Sequence, residues 1–203
     1  MGNSLAIKTC VFGFSVANAD SSMENFLTYC NTHKLKNNIF KIIILKESLE
    51  LRKLSINGRY LKPRQRAKKE YRVHGYKTDT LIKTLNEMGF HDINIVEIPV
   101  TWNEIKGDDI YHYLGKTVHE TLISFVSEFI SENELIKKSG ITASKDRFPF
   151  LYLYYVNEIY FMKRLFHNKN HSYCHYDTNS NDFTFFELLD EKQIEYINLN
   201  KST

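Results

Sequence analysis

The run Ile39 to Leu45 (IFKIIIL) constrains the chain more than any other segment. Five of its seven residues are β-branched or aromatic, and it is too short for a typical helix, so it reads as a strand. Leu5 to Phe14 reads as a second strand with a Gly-containing exit. Its residues Cys10, Val11, Phe12 and Phe14 make it apolar on both faces, as a central parallel strand requires. Between these two strands, Met23, Phe26, Leu27 and Cys30 fall at i, i+3, i+4 and i+7, which is one stripe of a helix. Ser21 and Glu24 stand at capping-box spacing just before it.

The same alternation continues downstream. Leu81, Ile82, Leu85 and Met88 predict a helix that Gly89 ends, and Ile93 to Val100 (INIVEIPV) predicts a strand with Pro99 near its end. Val118, Leu122, Phe125, Val126 and Phe129 predict a further helix from about Thr117. Strands alternating with helices specify an α/β fold, a three-layer sandwich with a mainly parallel sheet flanked by helices. The basic, Pro-interrupted stretch Lys53 to Arg72 is expected to form a long loop or a short helical insertion. The polar stretch KKSGITASK, Lys137 to Lys145, marks a boundary. Residues 1–136 are expected to form the α/β domain, and 137–203 an aromatic-rich, mostly helical C-terminal extension packing on it. Within that extension Phe148 to Phe166 reads as a long amphipathic helix whose aromatic stripe is core.

Composition narrows the function classes. With 203 residues, 42% hydrophobic and 25% charged, the chain has the make-up of a soluble globular protein, which excludes whole-chain disorder. No apolar run approaches the roughly 20 residues that span a bilayer, so neither a membrane protein nor a secreted precursor is expected. Cys10, Cys30 and Cys174 are scattered and outline no disulfide framework. Cytoplasmic residence is the plain expectation. A net charge of +3 is too mild to identify a nucleic-acid binder. Locally, however, ten basic residues lie between Arg52 and Lys77, with Glu70 as the one acid. That window is either a solvated face or a contact for an anionic partner, with Arg59, Arg64, Arg66, Lys68 and Lys69 as the candidate residues. Four unpaired cations would each cost several kcal/mol to bury, so Arg64, Arg66, Lys68 and Lys69 are expected to be exposed.

Two short motifs occupy matching positions. Gly13-Phe14-Ser15 lies at the exit of the first strand, and Asp109-Ile110-Tyr111-His112 follows the third strand just ahead of a helix. Ligands of α/β folds collect at the carboxyl ends of parallel strands. A serine hydroxyl becomes a useful nucleophile when a histidine takes its proton and a carboxylate orients that histidine. Asp-x-x-His lets one short loop supply both partners. Gly13-Phe14-Ser15 also reads as a plain strand-to-helix turn, or as a phosphate site at a helix N-terminus.

On these residues the chain resembles the SGNH, or GDSL-like, hydrolases. VFGFSVAN (Val11 to Asn18) is similar to the family's first block, with Phe14 where Asp is typical, and DDIYHYLGKTVHETLISFV (Asp108 to Val126) is similar to its last block. The middle blocks are degenerate, because KESLEL follows IFKIIIL without the family's oxyanion-hole Gly and Asn. The resemblance implies Ser15 as nucleophile, Asp109 as orienter and His112 as general base. It implies an esterase or O-acyltransferase acting on carbohydrate or small-molecule acyl esters, with no metal or organic cofactor. The alternative is a non-catalytic protein that binds nucleic acid or another polyanion through residues 52–77. His167, His171, Cys174 and His175 are zinc-ligand types, but their compressed spacing in an Asn-rich segment reads as a surface loop, and no metal site is expected.

Overall fold

In the computed structural model, β1 (Lys8–Gly13) and β2 (Phe40–Glu47) lie side by side in parallel, with Lys8 opposite Phe40 and Phe12 opposite Ile44. The structure describes residues 8–14, 16, 19–35, 40–59, 63–101, 112, 114–132, 143–166, 171–175 and 195–198. β3 (Ile93–Ile98) pairs with the outer side of β2, β4 (His171–His175) with the free side of β1, and β5 (Glu195–Asn198) with β4. Among the described residues the strand order is β3-β2-β1-β4-β5, and every pair is parallel. The first strand is therefore central. The order reverses direction there, the point at which open α/β sheets generally take their ligands, beyond the carboxyl ends of the strands.

Side chains alternate across the sheet and divide the core in two. Cys10, Phe12, Ile42 and Ile44 face α1 (Ala19–Leu35) and α3 (Pro63–Glu87), meeting Phe26, Cys30, Leu81 and Leu85. Val11, Ile43 and Leu45 face the other way. They meet Leu51 of α2 (Leu49–Arg59), Leu122 and Val126 of α4 (Lys116–Glu132), and Leu151 and Met162 of α5 (Ala143–Phe166). This is the expected three-layer α/β sandwich. Each large side chain fully buried in either layer contributes about 1.5–3 kcal/mol. Phe12 and Phe26 do so with rings stacked at 4.0 Å between centroids.

Of the two forms expected for the basic stretch, the helical one is found, on a larger scale than a short insertion. It forms most of α2 and the first turns of α3 rather than a long loop. Arg, Lys, Gln, Glu and Ala are good helix formers, and Pro63 sits at the first position of α3, where its fixed φ and missing N–H do no harm. Gly89 ends α3 as expected, with φ of 86°. The Gly89 amide donates to the Asn86 carbonyl at 2.9 Å and the Phe90 amide to the Leu85 carbonyl at 3.0 Å, closing the helix with a Schellman motif. α1 begins at Ala19, so Ser21 and Glu24 lie inside the helix rather than capping it. Asp20 in its first turn pairs with Lys77 of α3.

Two contacts lock α5 to the body. A Cβ at Gly58 of α2 would overlap the Leu151 side chain, so the helices approach closely there. Asn157, fully buried, accepts hydrogen bonds through Oδ1 from the Thr101 amide (2.6 Å) and hydroxyl (2.9 Å), tying the exit of β3 to α5. Among the described residues no helix is long and apolar enough to cross a membrane.

Candidate functional site

The carboxyl ends of β1 and β2 are built differently. β1 ends at Gly13 and passes into Phe14, whose buried ring stacks on Phe12 (5.6 Å) and lies almost parallel to the His74 ring (4.3 Å, 6°). His74, on the inner face of α3, places Nε2 3.2 Å from the Phe14 carbonyl oxygen. Burial pushes its pKa down to about 4, against the effect of the Phe14 hydrogen bond, and the cations of Arg52 and Lys46 push in the same direction as burial. The imidazole is neutral at ordinary pH.

β2 ends in Glu47, on the face of Ile43 and Leu45. Ser48 then starts α2, its hydroxyl accepting from the Leu51 amide at 3.1 Å and its carbonyl from the Arg52 amide at 2.9 Å. That turn brings Arg52 back onto Glu47, with Nη2 2.7 Å from Oε1. The Tyr154 hydroxyl of α5 donates to the same oxygen at 3.2 Å. On its other side Arg52 lies 3.7 Å from Glu70 of α3, which also accepts from Arg66 Nε at 2.8 Å. Four elements thus meet in one polar network. Of its inner members Arg52 is buried and Glu47 nearly so, with side-chain exposures of 7% and 14%.

Glu47 Oε2 and Arg52 Nε are buried and have no hydrogen-bond partner among the described residues. Burial raises the Tyr154 phenol well above its usual range, and the carboxylates of Glu158 and Glu47 add to this, so it remains a neutral donor. Glu158 stands half-buried one turn further along α5. Arg59 sends Nη2 to the Tyr155 hydroxyl (3.3 Å) and lies over the Phe129 ring (5.0 Å). Burial alone would lower its pKa, yet Tyr155, Tyr154 and Glu47 hold it above the ordinary arginine value.

Of the residues expected from sequence, Ser15 and Asp109 lie outside the described residues, and His112 is exposed. In the chain, Asp109 and His112 come after β3, which β2 separates from β1. At a strand spacing near 4.8 Å that puts the β3 exit about 10 Å from β1. His119 is half-buried, with Nδ1 2.7 Å from the Tyr152 hydroxyl in the packing of α4 on α5. Arg64, Arg66, Lys68 and Lys69 are exposed along α3, whereas Arg59 and Arg52 turn inward. His167 lies outside the described residues, and for His171, Cys174 and His175 the description is of backbone only.

The sequence reading missed Glu47, Arg52, His74, Tyr154 and Glu158. One signal was present. Tyr154 and Glu158 stand at i, i+4, a spacing that places both on one side of α5. In register terms, Glu47 is three residues beyond Ile44, the partner of Phe12, just as Ser15 is three residues beyond Phe12 in the chain. The network and the candidate nucleophile therefore belong to the ends of neighbouring strands.

No protein-family model matches the chain, and no curated protein sequence matches it. Solved structures do. The CDPS of Fluoribacter dumoffii aligns over 91% of this chain and 82% of its own, at 13% identity and a TM-score of 0.52. A cyclodipeptide synthase from Bacillus thermoamylovorans aligns over 95% of this chain and 88% of its own, at 13% identity and a TM-score of 0.51. At such identities the likeness is one of fold.

These findings overturn the SGNH resemblance and the ester-hydrolase expectation that came with it, including carbohydrate or small-molecule esters as substrates. The two matching blocks captured features that parallel α/β folds share. The first is a glycine-bearing strand exit. The second is an apolar helix after a strand, whose stripe Val118, Leu122, Val126 and Ile130 is core packing of α4. The alternative of a non-catalytic protein binding polyanions through residues 52–77 finds no support either, since Arg52 and Arg59 serve the interior.

Proposed function

We propose that this chain joins two aminoacyl groups into a cyclic dipeptide, with Ser15 as the nucleophile that accepts the first. The observation that carries the reading is the likeness of fold to cyclodipeptide synthases over nine-tenths or more of this chain. A cyclic dipeptide holds two amide bonds, and free amino acids do not condense in water unaided. Each carboxyl must arrive activated, and an aminoacyl ester carried on tRNA meets that need.

Such a substrate has three recognisable parts. Its ester carbonyl suits Ser15 at the exit of the central strand. Ser15 Oγ bonds to that carbonyl, and the carrier hydroxyl leaves with the serine proton. The amine of the seryl-bound aminoacyl group attacks the second aminoacyl ester, whose carrier hydroxyl leaves, and the remaining free amine then attacks the seryl ester, closing the ring and freeing the Ser15 hydroxyl. His112, with Asp109 as its orienter, would accept the serine proton; unimpaired turnover in His112→Ala would rule out both roles.

The second part is the α-ammonium, which suits Glu47 and Glu158 beside Tyr154, where one buried carboxylate oxygen has no partner among the described residues. The third is the RNA backbone, which suits the exposed Arg64, Arg66, Lys68 and Lys69 of α3. Substrates of this kind belong to the cytoplasm. The test is incubation of the purified chain with a mixture of aminoacyl-tRNAs and mass spectrometry of the products. Cyclic dipeptides that disappear in Ser15→Ala are the expected result, and their absence with the wild type would overturn the reading.

A further inference from the structure

Among the histidines whose side chains are described, His74 is the buried one, and nothing in its sequence context marks it out. We propose that His74 is a positioning residue for Ser15, donating one hydrogen bond that holds the peptide group joining Phe14 to Ser15, and that it is not the base. This rests on the reading of Ser15 as nucleophile.

Hydrogen-bond chemistry assigns the tautomer. The Phe14 carbonyl can only accept, so the nitrogen 3.2 Å from it, Nε2, carries the proton. Nδ1 keeps its lone pair and faces Thr78 Oγ1 at 3.5 Å, while the Thr78 hydroxyl donates its proton to the His74 carbonyl at 2.8 Å. A general base needs a nitrogen free to take a proton from the serine. Here one nitrogen is occupied by the strand exit and the other is turned toward its own helix.

The same geometry suits an anchor. The Phe14 carbonyl belongs to one rigid plane with the amide nitrogen of the next residue, so fixing its oxygen fixes that plane. His74 grips Phe14 twice, by the hydrogen bond and by the nearly parallel ring at 4.3 Å. Lys46 from β2 and Arg52 from α2 are the charged groups that act on the ring, and both favour its neutral form. Protonation would in any case leave the Nε2 donor in place. The anchor is therefore insensitive to pH over the range in which a histidine base would titrate.

Two variants separate donor from base. His74→Phe keeps an aromatic ring against Phe14 and removes the donor, whereas His74→Gln can place an amide N–H near the position of Nε2. In cyclodipeptide formation His74→Phe should lower kcat by about 10- to 100-fold with KM changed less than about threefold, the signature of a misplaced reacting group. His74→Gln should restore kcat to within about threefold of wild type, with the same pH profile. Wild-type kcat in His74→Phe, or a His74→Gln as slow as His74→Phe, would overturn the proposal. Nitrogen-15 NMR of the side chain reads the contact without reference to activity. The Nε2–H tautomer should persist from mildly acidic to mildly basic pH, and an Nδ1–H tautomer would overturn the proposal. Full activity in Ser15→Ala would overturn it through its premise, and the NMR result would distinguish that failure from a failure of the contact itself.

Discussion

On the face of the sheet covered by α1 and α3, His74 and Thr78 are buried as neutral groups, and their hydrogen bonds run to Phe14 and to their own helix. On the opposite face the buried Arg52 and the largely enclosed Glu47 form an ion pair that draws in Tyr154 from α5 and Glu70 from α3. The first arrangement satisfies itself locally and fixes a turn. The second is costly to bury and is held only while every partner stays in place. A protein core has little reason to adopt the second kind for stability. Its place at the carboxyl end of β2, beside the end of β1, is where an α/β fold receives ligands. Under the proposed function, the neutral side would support the site and the charged side would meet the substrate.

The largest effect should come from breaking the ion pair. Arg52→Met leaves Glu47 buried and uncompensated, and we expect a loss of about 3–5 kcal/mol in urea unfolding. Adding Glu47→Gln should recover a good part of that loss. A loss below about 1 kcal/mol for the single variant would show that the two faces do not differ as described.

The neutral face makes a pH prediction. His74 titrates near 4 in the folded chain and near 6.5 when unfolded, so the unfolded state binds more protons between those values. Stability is fully present above pH 6.5 and falls as pH drops toward 4, by about 3 kcal/mol in total. His74→Phe should flatten that part of the stability profile; an unchanged acid limb would place its cause elsewhere.

Gly58→Ala tests the packing that brings Tyr154 to Glu47. The added methyl meets Leu151, and overpacking of this kind costs about 1–3 kcal/mol. A second change, Leu151→Ala, should offset part of that cost, and additive losses would count against the close approach. The smallest effect on stability belongs to the exposed face of α3. Arg64→Glu with Lys68→Glu should stay within about 0.5 kcal/mol of wild type in unfolding. The same pair should raise KM for aminoacyl-tRNA and make it less sensitive to salt. Unchanged KM would take the RNA contact off α3.

The fold was largely legible because apolar runs such as IFKIIIL, and the stripe through Val118, Leu122 and Val126, depend on neighbours in sequence. The helices over residues 49–87 were harder to read. Among the inward positions of α3 are His74 and Thr78, so its buried stripe is not apolar. The network was less legible still. Glu47 and Tyr154 are 107 residues apart, and neither residue type announces a buried partner. Ser15 drew attention through local turn chemistry, but two short blocks could not distinguish one parallel α/β family from another.

The central position of β1 has a consequence for how the chain is made. On the β4 side, β1 finds its partner only with residues 171–175, about 160 residues after β1 itself ends. At a synthesis rate of about 5–20 residues per second, that flank of β1 waits on the order of 8–30 seconds on the ribosome. Throughout that interval β1 and β2 can form a sheet whose middle is still an edge, with Cys10, Val11 and Phe12 beside it. The strand that leads to the proposed nucleophile is thus made well before it is enclosed. Release of an unfinished chain should favour aggregation through this strand.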